Sequence, residues 1–508
     1  MSLKKNVVAN YLGQIWRTLM GIAFVPLYIK YLGMEAYGLI GLYAIMQAWL
    51  VLLDMGMTPT LSREMARHTA GARTAQSTRD LLRSLEVITF ALALAIGVAT
   101  WLSATWLSSH WLQAEKLSVE ETAQALSIIG FVVALRFIES LYRGALVGLQ
   151  KQVWLSAVGS VLATFRGGGA VFVLVWLTPT IEAFFIWQGI VSLVTILAFL
   201  LAVHKYLPPA AQAARFSWTQ LRSVRRFAGG MMATTALVLL LMQVDKIILS
   251  GMLSLEMFGY YTLAGTVAAV IYQLTGPITQ AFYPRFTELV AKGDTAGLIK
   301  IYHQSAQLIS VLIVPAALML MFFGENILLL WTGDAALARN VAPLLTLLAL
   351  GTMLHGLMHI PYMLTLAYGW PGFAVRVNLV AVMVLVPAVF WVTPRYGVIG
   401  AAWIWVILNA GYLLLSAHIL YRRLLKTEKW HWYFNDVILP AVAALSTATV
   451  FSMMSDRGGF YASLESGSPD YLMKLTVWGW LLVTGLAMLA MASFSASIFR
   501  KRFFEWVG

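Results

Sequence analysis

The chain has 508 residues, 60% of them hydrophobic and 11% charged, with a mean hydropathy of +0.78 and no cysteine. That balance excludes an ordinary soluble domain, and the missing thiols exclude disulfides and any cysteine-ligated metal or redox centre. The formal charge of +13 is not gathered into a basic stretch set among aromatics, so nucleic acid is not an expected partner.

Apolar runs of about 20 residues, each long enough to cross a ~30 Å hydrocarbon core, recur along the whole length. About fourteen spans are expected. They lie at 8–30, 36–56, 84–107, 123–147, 153–177, 183–203, 227–252, 258–282, 304–330, 338–366, 372–393, 397–421, 437–455 and 475–498. The fold class is therefore an all-α polytopic membrane protein. Spans 227–252 and 258–282 carry several polar groups and are the least regular.

Charge fixes the orientation. With the N-terminus in the cytoplasm, about 25 of the 35 Lys and Arg fall on the inner side and about 6 outside. Inner clusters include Arg63, Arg67, Arg73, Arg79 and Arg83, then Arg422, Arg423, Lys426 and Lys429. They could also hold anionic lipid headgroups. Both termini are expected in the cytoplasm. Lys4 and Lys5 precede an apolar stretch interrupted by Asn10, Gln14 and Arg17, so the first helix is expected to be retained, not cleaved. Trp101, Trp106, Trp111, Trp176 and Trp187 fall near outer ends, where an aromatic belt would sit. No loop is large enough for a catalytic domain, and no Walker-type glycine loop precedes Lys-Ser/Thr, so neither an enzyme nor direct ATP drive is expected.

An internal repeat is present. Leu32-Gly33-Met34-Glu35-Ala36-Tyr37-Gly38-Leu39 follows the first span, and Leu253-Ser254-Leu255-Glu256-Met257-Phe258-Gly259-Tyr260 follows the seventh. An even number of spans between the copies preserves orientation, which makes this a parallel repeat about an axis along the membrane normal. Two six-helix lobes follow, 1–215 and 216–425, with 426–508 adding two C-terminal helices.

Four cations sit within the apolar spans: Arg17, Arg136, Arg166 and Lys246. Each costs roughly 2.5–3.5 kcal/mol at mid-bilayer on insertion scales, so such groups usually face a bundle interior or an aqueous path. Cations with few acids point to an anionic cargo.

In the first helix Asn10, Gln14, Arg17 and Gly21 share one face, which suits a cavity wall, and Pro26 beyond them can kink the helix. Arg136, Glu139 and Arg143 share a face of the fourth. They read either as an internal ion pair or as a pair that an arriving anion can open. Arg166 precedes Gly167-Gly168-Gly169, which permit a close helix approach or a local break.

Gln243 adds polar lining in the seventh helix. Asp245 there could bind a coupling cation or pair with Lys246, and Asp54, before Gly56 and Pro59, reads as structural or gating. His355 and His359, one turn apart, suit proton handling or polar lining, and no carboxylate follows at a metalloprotease spacing. No metal ligand set is expected.

The residues also match a family in order. Pro26, Tyr31-Leu32-Gly33, Glu35, Tyr37-Gly38-Leu39, Leu53-Asp54-Met55-Gly56, Arg63-Glu64, Gly148-Leu149-Gln150, Gln243-Val244-Asp245-Lys246, Gly259-Tyr260-Tyr261 and Phe282-Tyr283-Pro284-Arg285 carry the likeness. The pattern resembles the polysaccharide-flippase (O-antigen, Wzx-like) branch of the multidrug/oligosaccharidyl-lipid/polysaccharide exporter superfamily. The resemblance implies two lobes around a cationic cavity, alternating access, and residence in the bacterial cytoplasmic (inner) membrane. It implies a polyprenyl-diphosphate-linked saccharide as cargo, with membrane lipids and polysaccharide polymerase or assembly proteins as partners. No cofactor is implied beyond H+ or Na+ coupling and the membrane potential.

Arg17 fits the place where related lipid-linked-precursor flippases carry a functional arginine. Peptidoglycan-precursor flippases have further basic residues soon after it. Here Ile22-Ala23-Phe24-Val25 is apolar, which argues against that cargo. The rival readings are a drug/cation antiporter of the same superfamily, a membrane glycosyltransferase or ligase acting on lipid-linked sugars, and a scaffold. The antiporter should prefer acids in its cavity. The enzyme needs a larger outer loop. The scaffold leaves the central cations unexplained.

Overall fold

The computed structural model describes residues 3–69, 71, 74–207, 212–222, 224, 239, 243–457 and 471–496, with side chains described from Tyr11 onward except at 456–457 and 471–472. The described residues are helical apart from short connections, and their one β-bridge joins Gln113 to Ser254. Eleven helices among them are long and apolar enough to cross a membrane.

The difference from fourteen has three sources. The stretch Pro371–Arg423 covers two expected spans, because Gly397 breaks the helix with φ 60° and ψ −151°. That positive-φ region suits glycine and kinks the chain there. Expected span 258–282 is broken into Leu255–Ala268, Val270–Gln273 and Thr275–Lys292. Most of 227–252 lies outside the described residues.

The chain gathers into two compact units, Met1–Gly259 and Tyr260–Gly508. In the first, α1 (Leu3–Ala23) and α2 (Val25–Leu32) form one span bent at Phe24, with Pro26 in the first turn of α2, where its missing N–H costs nothing. Next come α3 (Met34–Leu53), α4 (Met57–Thr69), α5 (Ala75–Trp106), α6 (Val119–Gly148), α7 (Gln152–Phe172) and α8 (Ile181–Tyr206).

Local chemistry sets the helix starts. Thr74 and Thr180 accept amides of the first turns of α5 and α8, and Ser118 with Glu121 forms a full capping box on α6. The glycines of α7 do not break it. A Cβ on Gly167 would strike the Phe24 ring, and one on Gly169 would strike the Trp187 indole. The triplet therefore serves close approach. Trp187 is packed there, while Trp101, Trp106 and Trp176 are exposed as a lipid-facing belt requires.

The two repeat copies meet within this unit. Glu35 is buried and accepts hydrogen bonds from the amides of Glu115, Lys116 (2.9 Å) and Leu117 (2.8 Å). Its counterpart Glu256 accepts from Nζ of the same Lys116 at 2.6 Å.

The second unit holds the end of α9 (Leu255–Ala268), then α10 (Val270–Gln273), α11 (Thr275–Lys292), α12 (Thr295–Thr332), α13 (Ala335–Leu357), α14 (His359–Ala367), α15 (Pro371–Gly411) and α16 (Ala417–Arg423). The last helices are α17 (Lys429–His431), α18 (Leu439–Arg457) and α19 (Tyr471–Ser495). The core runs along α12, where Ile309, Ile313 and Ala317 are buried with Tyr421, Trp432 and Ala448. Two π-helical stretches interrupt this unit, at Tyr412–Ser416 and Trp432–Ile438. Tyr433 of one donates to the Leu413 carbonyl of the other at 2.6 Å.

Candidate functional site: a cationic cavity in the first unit

A cavity of about 490 Å³ opens among α1, α6, α7 and α8. Among the described residues its charged lining consists of Arg17, Arg136, Arg143, Arg166 and Glu139. Four guanidiniums thus face one carboxylate.

Glu139 is the hub. It is 8% exposed, and both of its oxygens accept from Arg136 Nη1, at 3.0 and 2.9 Å. The one-turn spacing within α6 makes that pairing local. Arg166 reaches the same carboxylate from α7, Nη2 to Oε2 at 3.6 Å. Its Nη1 donates to Ser192 Oγ at 3.0 Å and lies 3.4 Å from the Gln188 carbonyl oxygen, both on α8. Three helices therefore fix the direction of one guanidinium.

Arg17 enters from α1. Gly13, one turn earlier, lets that helix close on α7, because a Cβ there would lie 2.9 Å from Ser156 Cβ and 3.1 Å from Arg17 Nη1. Tyr28, Tyr43, Phe184 and Phe199 supply aromatic surface. Tyr28 meets Phe184 edge to face at 5.0 Å and donates from its hydroxyl to the Gly167 carbonyl at 3.1 Å.

Of the residues singled out from the sequence, Arg17, Arg136, Glu139 and Arg166 come together here. Arg143 joins them as a fourth arginine, two turns along α6 from Arg136 and thus already on the face the sequence marks. Gln14 is exposed and does not line this cavity. The side chain of Asn10 lies outside the described residues. Gln243, Asp245 and Lys246 stand on the helical stretch 243–252 and are not among the residues that line this cavity, with Asp245 buried.

Asp54 caps α4. Its carboxylate accepts from Thr58 N at 3.0 Å and Thr58 Oγ1 at 2.6 Å. Burial pushes this carboxyl above the ordinary aspartate range, against the opposing pull of the Thr58 hydrogen bonds. His355 and His359 belong to the second unit, with ring centroids 5.4 Å apart, in an aromatic nest with Tyr272, Trp405 and Tyr412.

Two hydrogen-bonded arrangements escaped the sequence reading. Glu35 appears there as part of a repeat and of the family pattern, and nothing in the sequence shows that it collects three loop amides. His303, Gln307, Glu428 and Asp436 form a polar cluster in the second unit. Separations of 125–133 residues hide it from any motif.

Residues 3–290 match the family described as polysaccharide biosynthesis protein. A Shigella flexneri protein provisionally described as an O-antigen transporter is 20% identical over 421 residues, covering 81% of this chain and 96% of that protein. Among solved structures, the lipid II flippase MurJ in an inward closed conformation superposes with a TM-score of 0.72 at 12% identity, over 98% of this chain and 99% of its own. An inward-facing multidrug MATE transporter of the MOP superfamily gives 0.63 at 13% identity, over 81% of this chain and 96% of its own. The chain is a multi-pass membrane protein that belongs to the polysaccharide biosynthesis protein family and carries the fold of the multidrug/oligosaccharidyl-lipid/polysaccharide exporters.

Proposed function

We propose that the protein is a flippase that moves a polyprenyl-diphosphate-linked oligosaccharide from the inner to the outer leaflet of the bacterial cytoplasmic membrane by alternating access. The observation that carries this reading is the excess of arginine over acid in the 490 Å³ cavity. A diphosphate offers oxygens that the planar guanidinium fork meets in pairs. Arg17, Arg136, Arg143 and Arg166 would bind the diphosphate, and the tyrosines and phenylalanines would lie against sugar rings. The lipid tail would remain in the bilayer.

The family and the Shigella relative favour a transporter of surface-polysaccharide precursors over an enzyme. The reading keeps two six-helix lobes, 1–215 and 216–425, related by the repeat, with 426–508 appended. Lys246, Asp245 and the His355–His359 pair would act from the second repeat, in attraction or in H+ or Na+ coupling. A drug/cation antiporter shares the fold, yet four arginines against one glutamate would repel its cargo.

The test is leaflet transfer of a labelled polyprenyl-diphosphate oligosaccharide in proteoliposomes, with wild type beside Arg166→Ala. Transfer by the wild type and its loss in the variant support the reading. Cation-driven drug efflux, with no leaflet transfer of any lipid-linked saccharide tried, would replace it by the antiporter.

A further inference from the structure

The second unit contains a group of metal-ligating side chains apart from the cavity. His303 projects from α12 toward the segment 428–436. Its Nδ1 faces Oδ2 of Asp436, and its Nε2 lies 3.1 Å from Glu428 Oε2. The His431 ring stands 4.3 Å from that of His303, centroid to centroid. Ligand atoms of His303, His431 and Asp436 all lie within 4.8 Å of one another. Asp436 is fully buried inside the π stretch Trp432–Ile438, and its other oxygen accepts from Gln307 Nε2 at 2.9 Å.

We infer that His303, His431 and Asp436 form a site for a divalent transition cation of the zinc class, which joins α12 to the segment entering the C-terminal helices. The donor set is two imidazoles and one carboxylate, while Glu428, on the other ring nitrogen of His303, orients that imidazole. Zinc accepts both kinds at about 2.0–2.2 Å in tetrahedral geometry. Calcium and magnesium prefer oxygen alone, so the imidazoles select against them.

Gln307 already does what outer partners do in metal sites, holding a ligating carboxylate in one orientation. The π stretch contributes as well. An extra residue in the turn re-aims side chains, and such turns often mark functional sites. The cation would tie stretches 125–133 residues apart in sequence, so its binding would also stabilise this unit.

The experiment uses the full-length protein, purified in detergent and treated with a chelator. Zinc is titrated against a chromophoric competitor, and thermal unfolding is followed in parallel. The expected result is about one tight equivalent of Zn2+ per chain and a raised melting temperature, with no shift from Mg2+. His431 is exposed, so His431→Ala tests the site without endangering the fold. It should weaken binding at least tenfold, His303→Ala should weaken it further, and His355→Ala should leave it unchanged. Absence of stoichiometric zinc, or zinc retained by His431→Ala at wild-type affinity, overturns the assignment.

Discussion

Gly38 and Gly259 hold equivalent places in the two repeat copies, and each admits the backbone of the other copy. A Cβ on Gly38 would collide with the carbonyl oxygen of Leu255, and one on Gly259 would lie 2.6 Å from the carbonyl oxygen of Met34. Met34 and Leu255 are themselves equivalent by the same offset. Such reciprocity, i on j and j on i, is what a two-fold axis imposes on a contact. The repeat is thus a packing device.

Gly38→Ala and Gly259→Ala should each destabilise the protein by about 1–3 kcal/mol, the usual cost of overpacking against an obstacle that cannot swing away. Gly276→Ala and Gly479→Ala have open space around the new methyl and should be close to neutral. Thermal unfolding of the four variants in detergent checks this. Equal melting temperatures would remove the contact from the account.

Arg166 is gripped by Glu139, Ser192 and Gln188, so its geometry matters as well as its charge. Arg166→Lys keeps a point charge but loses the fork. Leaflet transfer should fall at least tenfold in Arg166→Ala and recover only in part in Arg166→Lys. Arg143→Ala should also lose transfer. Full activity in Arg143→Ala would confine the path to the other three arginines.

Glu139 balances Arg136 and Arg166 together. Glu139→Gln and Arg166→Gln should each lower stability by about 1–3 kcal/mol, because each leaves buried charge or donors unmatched. The double variant should lose less than the two effects combined, with a coupling of about 0.5–3 kcal/mol. Simple additivity would mean that the 3.6 Å contact carries no energy.

A diphosphodiester cargo carries about two negative charges, and outward movement releases roughly 2.3 kcal/mol per charge at 100 mV, inside negative. Transfer in proteoliposomes should therefore quicken under an imposed inside-negative potential and slow on depolarisation. Equal flux in both conditions would indicate that a counter-moving cation cancels the charge.

Asp54 gives a pH signature. Burial holds its folded pKa above the unfolded value, so the folded state binds the proton more tightly. This contribution to stability is full below the unfolded pKa and is lost as pH rises through the folded one. Asp54→Asn should keep most of the cap on α4 and flatten that part of the stability profile. Asp54→Ala should cost about 1 kcal/mol more through the lost cap. Melting temperatures across the acid range, wild type beside both variants, provide the check.

The membrane class and most spans were legible because apolar length is a local property. Arg17, Arg136 and Arg166 were legible for a similar reason, since a charge inside an apolar run stands out by its cost. Arg143 lay on the marked face, but its place near a helix end hid its part in the cavity. The breaks around Ala269 and Leu274 follow polar residues and the Gly276-Pro277 pair, which the hydropathy of 258–282 averages away. Lys246 and Gln243 carry the same polar signature as the cavity residues, yet the fold sets them outside its lining. Sequence gives the depth of a side chain more readily than its azimuth. Contacts such as Glu35 on 115–117 or His303 on Asp436 require the fold itself.

The bond from Tyr433 to the Leu413 carbonyl ties two π stretches together. A π turn carries one residue more than the α turn it replaces. At 412–416 and 432–438 the chain therefore holds a reserve of length, in places where the helices continue on either side. Excising one residue from either stretch should let it rewind as α and leave the helices beyond in phase. The same excision in the middle of α6 would rotate everything after it by about 100° and scatter the arginines. The two deletions are equal in the gene and opposite in the bilayer, and a comparison of their folded yields would measure how much slack the C-terminal helices keep.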